Sequence, residues 1–196
     1  AQNNAFTNLS ITLDRTNTST IAIDQGTSST PVSVTGANSM NVYKNLTIKN
    51  TQKGISLGGN ATYPDLSCEI GTTSCTAFNT IGDPATPNDI GNASSLSYGI
   101  LATNQSDIKI YNNSVRNVTA SAAQVDGINI VTFKGTCEVY NNKVQTIKNS
   151  STTSTTGISG IAASHTTTGT HSIRIYNNAV SEILTSFTGA ATATRI

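Results

Sequence analysis

Three residues that could carry proton chemistry recur at one position of a repeated segment. Lys109, Glu138 and Arg174 precede the tyrosine of IKIYNNSVRNV, CEVYNNKVQTI and IRIYNNAVSEI. In a polysaccharide lyase, a cation neutralises a uronate carboxylate and a Lys or Arg abstracts a proton. Alternating charges on adjacent strands also form a ladder that contributes up to about 1 kcal/mol per pair. We expect the ladder, with these three residues as the catalytic set only if the chain is an enzyme.

Each of these segments continues with a doubled asparagine. Asparagine accepts the left-handed backbone conformation of a tight turn better than other residues that have a Cβ atom. Amides stacked from one copy to the next can also hydrogen-bond to one another. The sequence therefore predicts a structural turn ladder, formed by Asn112, Asn113, Asn141, Asn142, Asn177 and Asn178.

Metal ligands are sparse in the sequence, and no cofactor is expected. The loop GDPATPNDIGN brings Asp83, Asn88 and Asp89 together, which makes it a weak calcium candidate without the regular ligand spacing of a calcium loop. The alternative is a surface turn capped by these side chains. His165 and His171 lie in a polar segment without a third ligand nearby, and solvated imidazoles are the expectation there.

The three cysteines suggest one bridge and one buried thiol. Cys68 and Cys75 bracket CEIGTTSC, and a local disulfide between them would indicate an oxidising compartment. Cys137 alternates with apolar residues, so we expect it to be a small buried side chain.

A period of about thirty residues runs through the chain. The aromatic residues Tyr43, Phe78, Tyr111, Tyr140 and Tyr176 are spaced by 35, 33, 29 and 36 residues. Gly-Ile pairs that begin at positions 54, 99, 127 and 157 open short alternating segments before the next aromatic motif. Alternation without helical segments indicates two or three short strands in each period.

These YNNxV turns and Gly-Ile strands resemble those of right-handed parallel β-helix proteins, the pectate-lyase-like superfamily. The resemblance is strongest to the repeat-rich branch of NosD-type and large bacterial surface proteins. It implies an all-β fold, a single-stranded right-handed parallel β-helix (solenoid) with coils of about 29–36 residues.

The same resemblance predicts that the whole chain is one domain or one segment of a domain. Residues 1–39 are expected to form irregular first coils, residues 40–185 regular coils, and residues 186–196 the start of a further coil or a tail. Because exposed ends of stacked strands invite pairing, we expect a part of a longer protein, with flanking coils or domains as neighbours.

The composition and net charge indicate which classes of partner to expect. The chain has a formal net charge of +1 and only 11% charged residues, which gives no reason to expect nucleic acid. No apolar run is long enough to predict membrane insertion. The abundance of Thr, Ser and Asn and the predicted disulfide favour a secreted or cell-surface protein, with a polysaccharide or surface glycan as a candidate partner.

The sequence therefore favours a non-enzymatic structural or adhesive module of a secreted or cell-surface bacterial protein, with glycan binding as an added property. The alternative is a carbohydrate-active enzyme, a polysaccharide lyase or glycoside hydrolase, acting on an outer face. Glycoside hydrolysis normally uses two carboxylates, and the sequence contains no Asp-Asp pair. The enzyme is therefore the second choice.

Overall fold

The computed structural model describes residues 2–26, 31–74, 76–92, 95–152, 157–165 and 170–186. These residues form strands and one short 3-10 helix, Val34–Gly36, and no helix among them has the length and hydropathy needed to cross a lipid bilayer. The all-β prediction is confirmed. Residues 187–196, where the further coil is expected, lie outside the described residues.

The strands are β1 (Ala5–Thr7), β2 (Ser10–Thr12), β3 (Ile21–Gln25), β4 (Val42–Lys44), β5 (Thr47–Lys49), β6 (Lys53–Gly58), β7 (Asp65–Leu66), β8 (Glu69–Gly71), β9 (Asn79–Ile81), β10 (Ile90–Asn92), β11 (Ser97–Ser106), β12 (Lys109–Tyr111), β13 (Asn113–Ala120), β14 (Val125–Tyr140), β15 (Lys143–Asn149), β16 (Ile158–Ser164), β17 (His171–Tyr176) and β18 (Ala179–Thr185).

The strands form two sheets in which every described pairing is parallel. The larger sheet has eleven strands along the path β1-β4-β8-β12-β14-β11-β6-β3, with β16 and β17 also pairing with β14, and β7 with β11. The smaller sheet has seven strands in the order β18-β15-β13-β9-β5-β2, with β10 pairing with β13. Strands from successive repeats are therefore neighbours.

This arrangement corrects the predicted fold class. Two parallel sheets, one of them a half-barrel, indicate a fold different from a single-stranded parallel β-helix solenoid. The sequence predicts two or three short strands in each period, so GINIV and CEVY are expected to lie in separate strands. In the structure both belong to β14, which has 16 residues.

Strand β14 contains two halves that pair with different strands and are joined by a bend. The first half of β14 pairs with β11 and β16, and its second half pairs with β12 and β17. Between the halves, Thr132 and Gly135 have φ angles of 55° and 64°, so the backbone changes direction without ending the strand. A hydrophobic alternation alone does not distinguish such a bent strand from two strands joined by a turn.

The core is built from columns of equivalent apolar residues. One column passes through Ile55, Ile100 and Ile128 of the larger sheet, and another through Ile81, Val115 and Val144 of the smaller one. These side chains are fully buried or nearly so. Full burial of a side chain of this size contributes about 1.5–3 kcal/mol.

Glycines bring the two sheets into close contact. Gly54, Gly99, Gly127 and Gly160 occupy one register position, directly before the isoleucine column. A Cβ atom on Gly99 would lie 2.2 Å from the Cγ1 atom of Val115 in the other sheet. The predicted marker Gly157-Ile158 is displaced by three residues, because Gly160 is the residue in register with Gly127.

Candidate functional site

The charged residues singled out from the sequence form one column on adjacent strands. Lys109 pairs in register with Glu138, and Glu138 with Arg174. A fourth member, Glu69, pairs with Lys109 on the other side. The column therefore alternates in sign, Glu69, Lys109, Glu138, Arg174, along the strands β8, β12, β14 and β17.

The charges of the column contact one another. Lys109 Nζ lies 3.8 Å from Glu69 Oε1, and Arg174 Nη1 lies 3.9 Å from Glu138 Oε1. All four side chains are partly exposed to solvent. Water screens such pairs, so each contributes at most about 1 kcal/mol.

Sequence reasoning missed Glu69 because it aligned the wrong segment. Cys68-Glu69-Ile70 is in register with the later repeats and resembles Cys137-Glu138-Val139. The periodic spacing instead took Phe78 as the aromatic residue of this repeat. The Cys-Glu pair was the signal that could have placed Glu69.

A column of tyrosines lies beside the charges. Tyr111 and Tyr140 stack with ring centroids 5.1 Å apart and an interplanar angle of 5°, and Tyr140 and Tyr176 stack at the same distance with an angle of 4°. This stacking covers both faces of the Tyr140 ring and one face of each of the other two rings. The column is therefore a poor platform for sugar rings, which stack on aromatic faces.

The two earlier aromatic residues do not belong to this column. Tyr43 is in register with Ile70, so it occupies a core column and stacks on Phe6 instead. Phe78 precedes Asn79 and lies beneath the ammonium group of Lys143, 4.5 Å from the ring centroid. The spacings that included Tyr43 and Phe78 therefore did not measure one register position.

Tyr111 links the tyrosine column to the charged column. Its hydroxyl donates a hydrogen bond of 3.0 Å to Glu69 Oε2. Burial, followed by the negative charge of Glu69, raises the pKa of Tyr111 to about 12. The phenol is thus a neutral hydrogen-bond donor over the physiological pH range, and it is poorly suited to act as a general base.

The second asparagine of each pair forms a buried ladder. Asn142 Oδ1 accepts hydrogen bonds from the backbone N–H of Asn113 and from its side-chain amide, at 3.0 and 2.9 Å. Asn178 Oδ1 accepts the equivalent two bonds from Asn142. Asn79 extends the ladder through Asn113 Oδ1. These amides join successive repeats, which leaves little capacity to bind a ligand.

The first asparagine of each pair makes the turn itself. Asn112, Asn141 and Asn177 have φ angles of 50°, 54° and 53°. These values lie in the left-handed region, which asparagine tolerates. Asn112 also donates a hydrogen bond of 2.6 Å from its amide to the carbonyl oxygen of Thr72.

An open depression lies where the charged and tyrosine columns meet. It has a volume of about 400 Å³, and its lining includes Glu69, Thr73, Lys109, Tyr140 and Asn141. Carboxylate, ammonium, hydroxyl and amide groups surround it. This set can form hydrogen bonds to the hydroxyl groups of a glycan.

The calcium candidates are engaged with protein groups. Asp83 Oδ2 forms an ion pair of 2.8 Å with Lys49 Nζ, and hydrogen bonding to Lys49 is the first cause that lowers the pKa of Asp83. Asp89 Oδ2 accepts a 2.8 Å hydrogen bond from the backbone N–H of Asp83. The Asn88 carbonyl accepts a hydrogen bond from Arg15. The described part of the chain contains no group of three or more His, Cys, Asp or Glu side chains placed to hold a metal ion.

The histidines and cysteines take other arrangements. The rings of His165 and His171 stack with centroids 3.4 Å apart, and both meet the ring of Phe133 edge-on. Cys68 and Cys137 are buried free thiols, whose pKa values burial raises. The predicted disulfide between Cys68 and Cys75 is not found: Cys68 Sγ donates to the Asn38 carbonyl at 3.2 Å, and Cys75 lies outside the described residues.

No family model, curated protein or solved structure matches this chain. The resemblance drawn from the repeats therefore has no support from relatives, and function has to be argued from the site itself.

Proposed function

We propose that this chain is a non-enzymatic structural module of a secreted or cell-surface protein. One observation carries the proposal: the residues shared by the three Tyr-Asn-Asn repeats contact the equivalent residues of neighbouring repeats. The second asparagines form hydrogen bonds to one another, and the tyrosines stack. The charged residues pair with opposite charges. The repeated motif thus serves the stacking of repeats.

The composition supports placement outside the cell. Thr, Ser and Asn are abundant in the sequence, and only 11% of its residues are charged. Nine Asn-X-Ser/Thr sequences offer sites for glycosylation in a host that performs it. A weakly charged hydroxyl-rich surface is compatible with contact to polysaccharides.

Incubation with a panel of acidic and neutral polysaccharides tests the structural assignment. We expect no new reducing or unsaturated chain ends from the wild-type protein. Lys109→Ala and Arg174→Ala should each change the free energy of unfolding by less than about 1 kcal/mol. New ends that disappear in either variant would contradict the proposal and make the charged column an active site.

Glycan binding without turnover is a second candidate, favoured by the open depression beside Glu69 and Lys109. Because the tyrosine faces cover each other, recognition would rest on hydrogen bonds and charge. Saturable binding of an acidic oligosaccharide should weaken at least tenfold in Lys109→Ala. Lys148→Ala, on the smaller sheet, is the matched control and should leave binding unchanged. Equal loss in both variants, or no saturable binding, would contradict this candidate.

A further inference from the structure

The tyrosines of the three strong repeats form a continuous stack of phenol rings. Tyr140 lies in the middle, with its ring parallel to that of Tyr111 within 5° and to that of Tyr176 within 4°, and both neighbouring centroids are 5.1 Å away. The register of β12, β14 and β17 fixes this order, because the three residues are Cα partners. The chain therefore holds two pairs of phenols at a short and defined separation.

Phenols at this spacing can react with each other when they are oxidised. A tyrosine that loses one electron and its phenolic proton becomes a neutral phenoxyl radical, whose unpaired electron lies partly on the carbons ortho to the oxygen. Two such radicals combine through these carbons when they meet. Free tyrosines must first diffuse together, whereas stacked rings are already neighbours, which favours their coupling.

Glu69 supplies a proton acceptor for this oxidation. Its Oε2 atom accepts the hydrogen bond of the Tyr111 hydroxyl at 3.0 Å, and its side chain is 34% exposed to solvent. A phenol becomes a strong acid once an electron is removed, so its proton moves along this hydrogen bond to the carboxylate and from there to water. The contact that keeps Tyr111 protonated in the resting protein thus assists its oxidation.

The stack is accessible to a small oxidant. Tyr111 and Tyr140 both line the open depression of about 400 Å³ described above. Tyr140 is also partly exposed to solvent. An oxidant that enters the depression therefore reaches the stack without a change in the fold.

Few other side chains compete for a one-electron oxidant. The sequence contains no Trp and one Met, and three of its six tyrosines belong to the stack. Cys68 and Cys137 are buried, and burial raises the pKa of both thiols, which disfavours the reactive thiolate form. The stacked phenols are therefore the expected target.

We propose that Tyr140 is a site of oxidative cross-linking, at which a one-electron oxidant, a haem peroxidase with hydrogen peroxide, joins it to a stacked neighbour as dityrosine. Each of the two phenols loses one electron and one proton, and the two radicals form one bond between ortho carbons. Each ortho hydrogen then moves to the phenol oxygen of its own ring, which restores both aromatic rings. The two electrons and two protons reduce one hydrogen peroxide to two water molecules.

The cross-link deepens the structural role proposed above and rests on it. A bond from Tyr140 to Tyr111 or Tyr176 joins two neighbouring repeats covalently, and a cross-link of this kind restricts the unfolded chain. The readout is a covalent bond, so a failure to cross-link is distinguishable from the appearance of polysaccharide turnover.

Treatment of the dilute protein with a haem peroxidase and hydrogen peroxide tests the proposal. We expect a single-chain product that has lost two hydrogen atoms, shows dityrosine fluorescence and yields proteolytic peptides joined at Tyr140. Tyr140→Phe removes both stacked pairs and should lower the dityrosine yield by a factor of about ten or more. Tyr63→Phe is the matched control: it also removes one tyrosine, but Tyr63 is not part of the stack, so its yield should equal that of the wild type.

Two further variants test the role of Tyr140 as the shared partner. Tyr111→Phe and Tyr176→Phe each leave one stacked pair, so each should still cross-link at Tyr140 through the remaining neighbour. Phenylalanine is compatible with such a stack, because Phe6 stacks on Tyr43 at the same centroid distance of 5.1 Å, and circular dichroism checks that the variants are folded. Wild-type protein without dityrosine, a folded Tyr140→Phe with the wild-type yield, or cross-links found only between chains would overturn the proposal.

Discussion

At the scale of single residues, the buried amides of the ladder illustrate how polar groups stabilise an interior. Asn142 is almost fully buried, and both ends of its amide are used. Its Nδ2 donates to the carbonyl of Ile110 and to Asn178, while its Oδ1 receives two bonds from Asn113. A buried polar group that loses its partner costs about 1–3 kcal/mol. The ladder is therefore sensitive to the loss of one amide.

Substitution of Asn142 by alanine should lower the free energy of unfolding by about 2–4 kcal/mol, because the N–H groups of Asn113 and the carbonyl of Ile110 lose buried partners. Urea unfolding measures the change. Asn178→Ala is the matched control: Asn178 lies between β17 and β18 and is itself only half-buried, so removing its side chain admits water to the groups it leaves, and its cost should be smaller. Equal costs for both variants would contradict a buried ladder.

A second buried polar residue makes stability depend on pH. Asp126 is 1% exposed and accepts hydrogen bonds from Gln124 and Asn129 at 2.8 and 2.7 Å. Burial raises the pKa of Asp126 above its ordinary value of 3.8, although these hydrogen bonds act in the opposite direction. The folded protein therefore holds this proton more tightly than the unfolded chain does.

The sign follows from proton linkage. Because the folded state binds the Asp126 proton more tightly, stability falls as the pH rises from 3.8 through the raised pKa. Asp126→Asn keeps an oxygen that can accept both hydrogen bonds and removes the titration, so this part of the pH dependence should vanish. Unfolding midpoints measured from about pH 3.5 to about pH 7 follow the change, because this range begins near the ordinary pKa of an aspartate. An unchanged pH profile in Asp126→Asn, relative to exposed Asp24→Asn, would refute the linkage.

At the scale of elements, the glycine column sets how closely the sheets approach. A Cβ atom on Gly127 would lie 2.4 Å from Val144 Cγ1 and 2.5 Å from the carbonyl oxygen of Gly160. On Gly157 the nearest atom would be Gln124 Cγ, at 3.9 Å. Gly127 therefore has no room for a Cβ atom, whereas Gly157 does, although isoleucine follows both glycines.

Gly127→Ala should destabilise the protein by about 1–3 kcal/mol, since the added methyl group overpacks the interface between the sheets. Gly157→Ala should change stability by less than about 0.5 kcal/mol. Thermal and urea unfolding of the two variants, measured side by side, make the comparison. A tolerated Gly127→Ala would mean that the sheets are not in close contact at this column.

The elements also show what the sequence can predict. The three strong repeats share Tyr-Asn-Asn, and their strands do stack in register at Tyr111, Tyr140 and Tyr176. Weaker repeats were misaligned for physical reasons: Tyr43 has an apolar ring that suits a core column, and an insertion separates Gly71 from Asn79. The residue type alone does not determine which face of a strand a tyrosine occupies.

The Gly-Ile pairs also led to a wrong register in one repeat. The segment GISGI contains two Gly-Ile pairs three residues apart, and only the space available for a Cβ atom selects Gly160 over Gly157. Likewise, the continuity of β14 depends on how Thr132 and Gly135 bend. Periodicity therefore predicted strands and stacking, but not the merging of strands into one large sheet.

At the scale of the whole molecule, the parallel strands, the asparagine ladder and the tyrosine stack all act in one direction, from repeat to repeat. Contacts of this kind make stability a sum over neighbouring layers. Each layer is therefore stabilised by the layers beside it, as the proposed structural role requires.

The most direct test of this account is hydrogen exchange of the backbone amides of Asn113 and Asn142, followed residue by residue by NMR. Both amides donate to side-chain oxygens of the ladder at 3.0 Å. If the repeated asparagines serve to join repeats, these turn amides should exchange as slowly as the strand amide of Val115. Exchange as fast as that of an unstructured peptide would contradict the ladder and return the asparagines to the surface as ligand-binding groups.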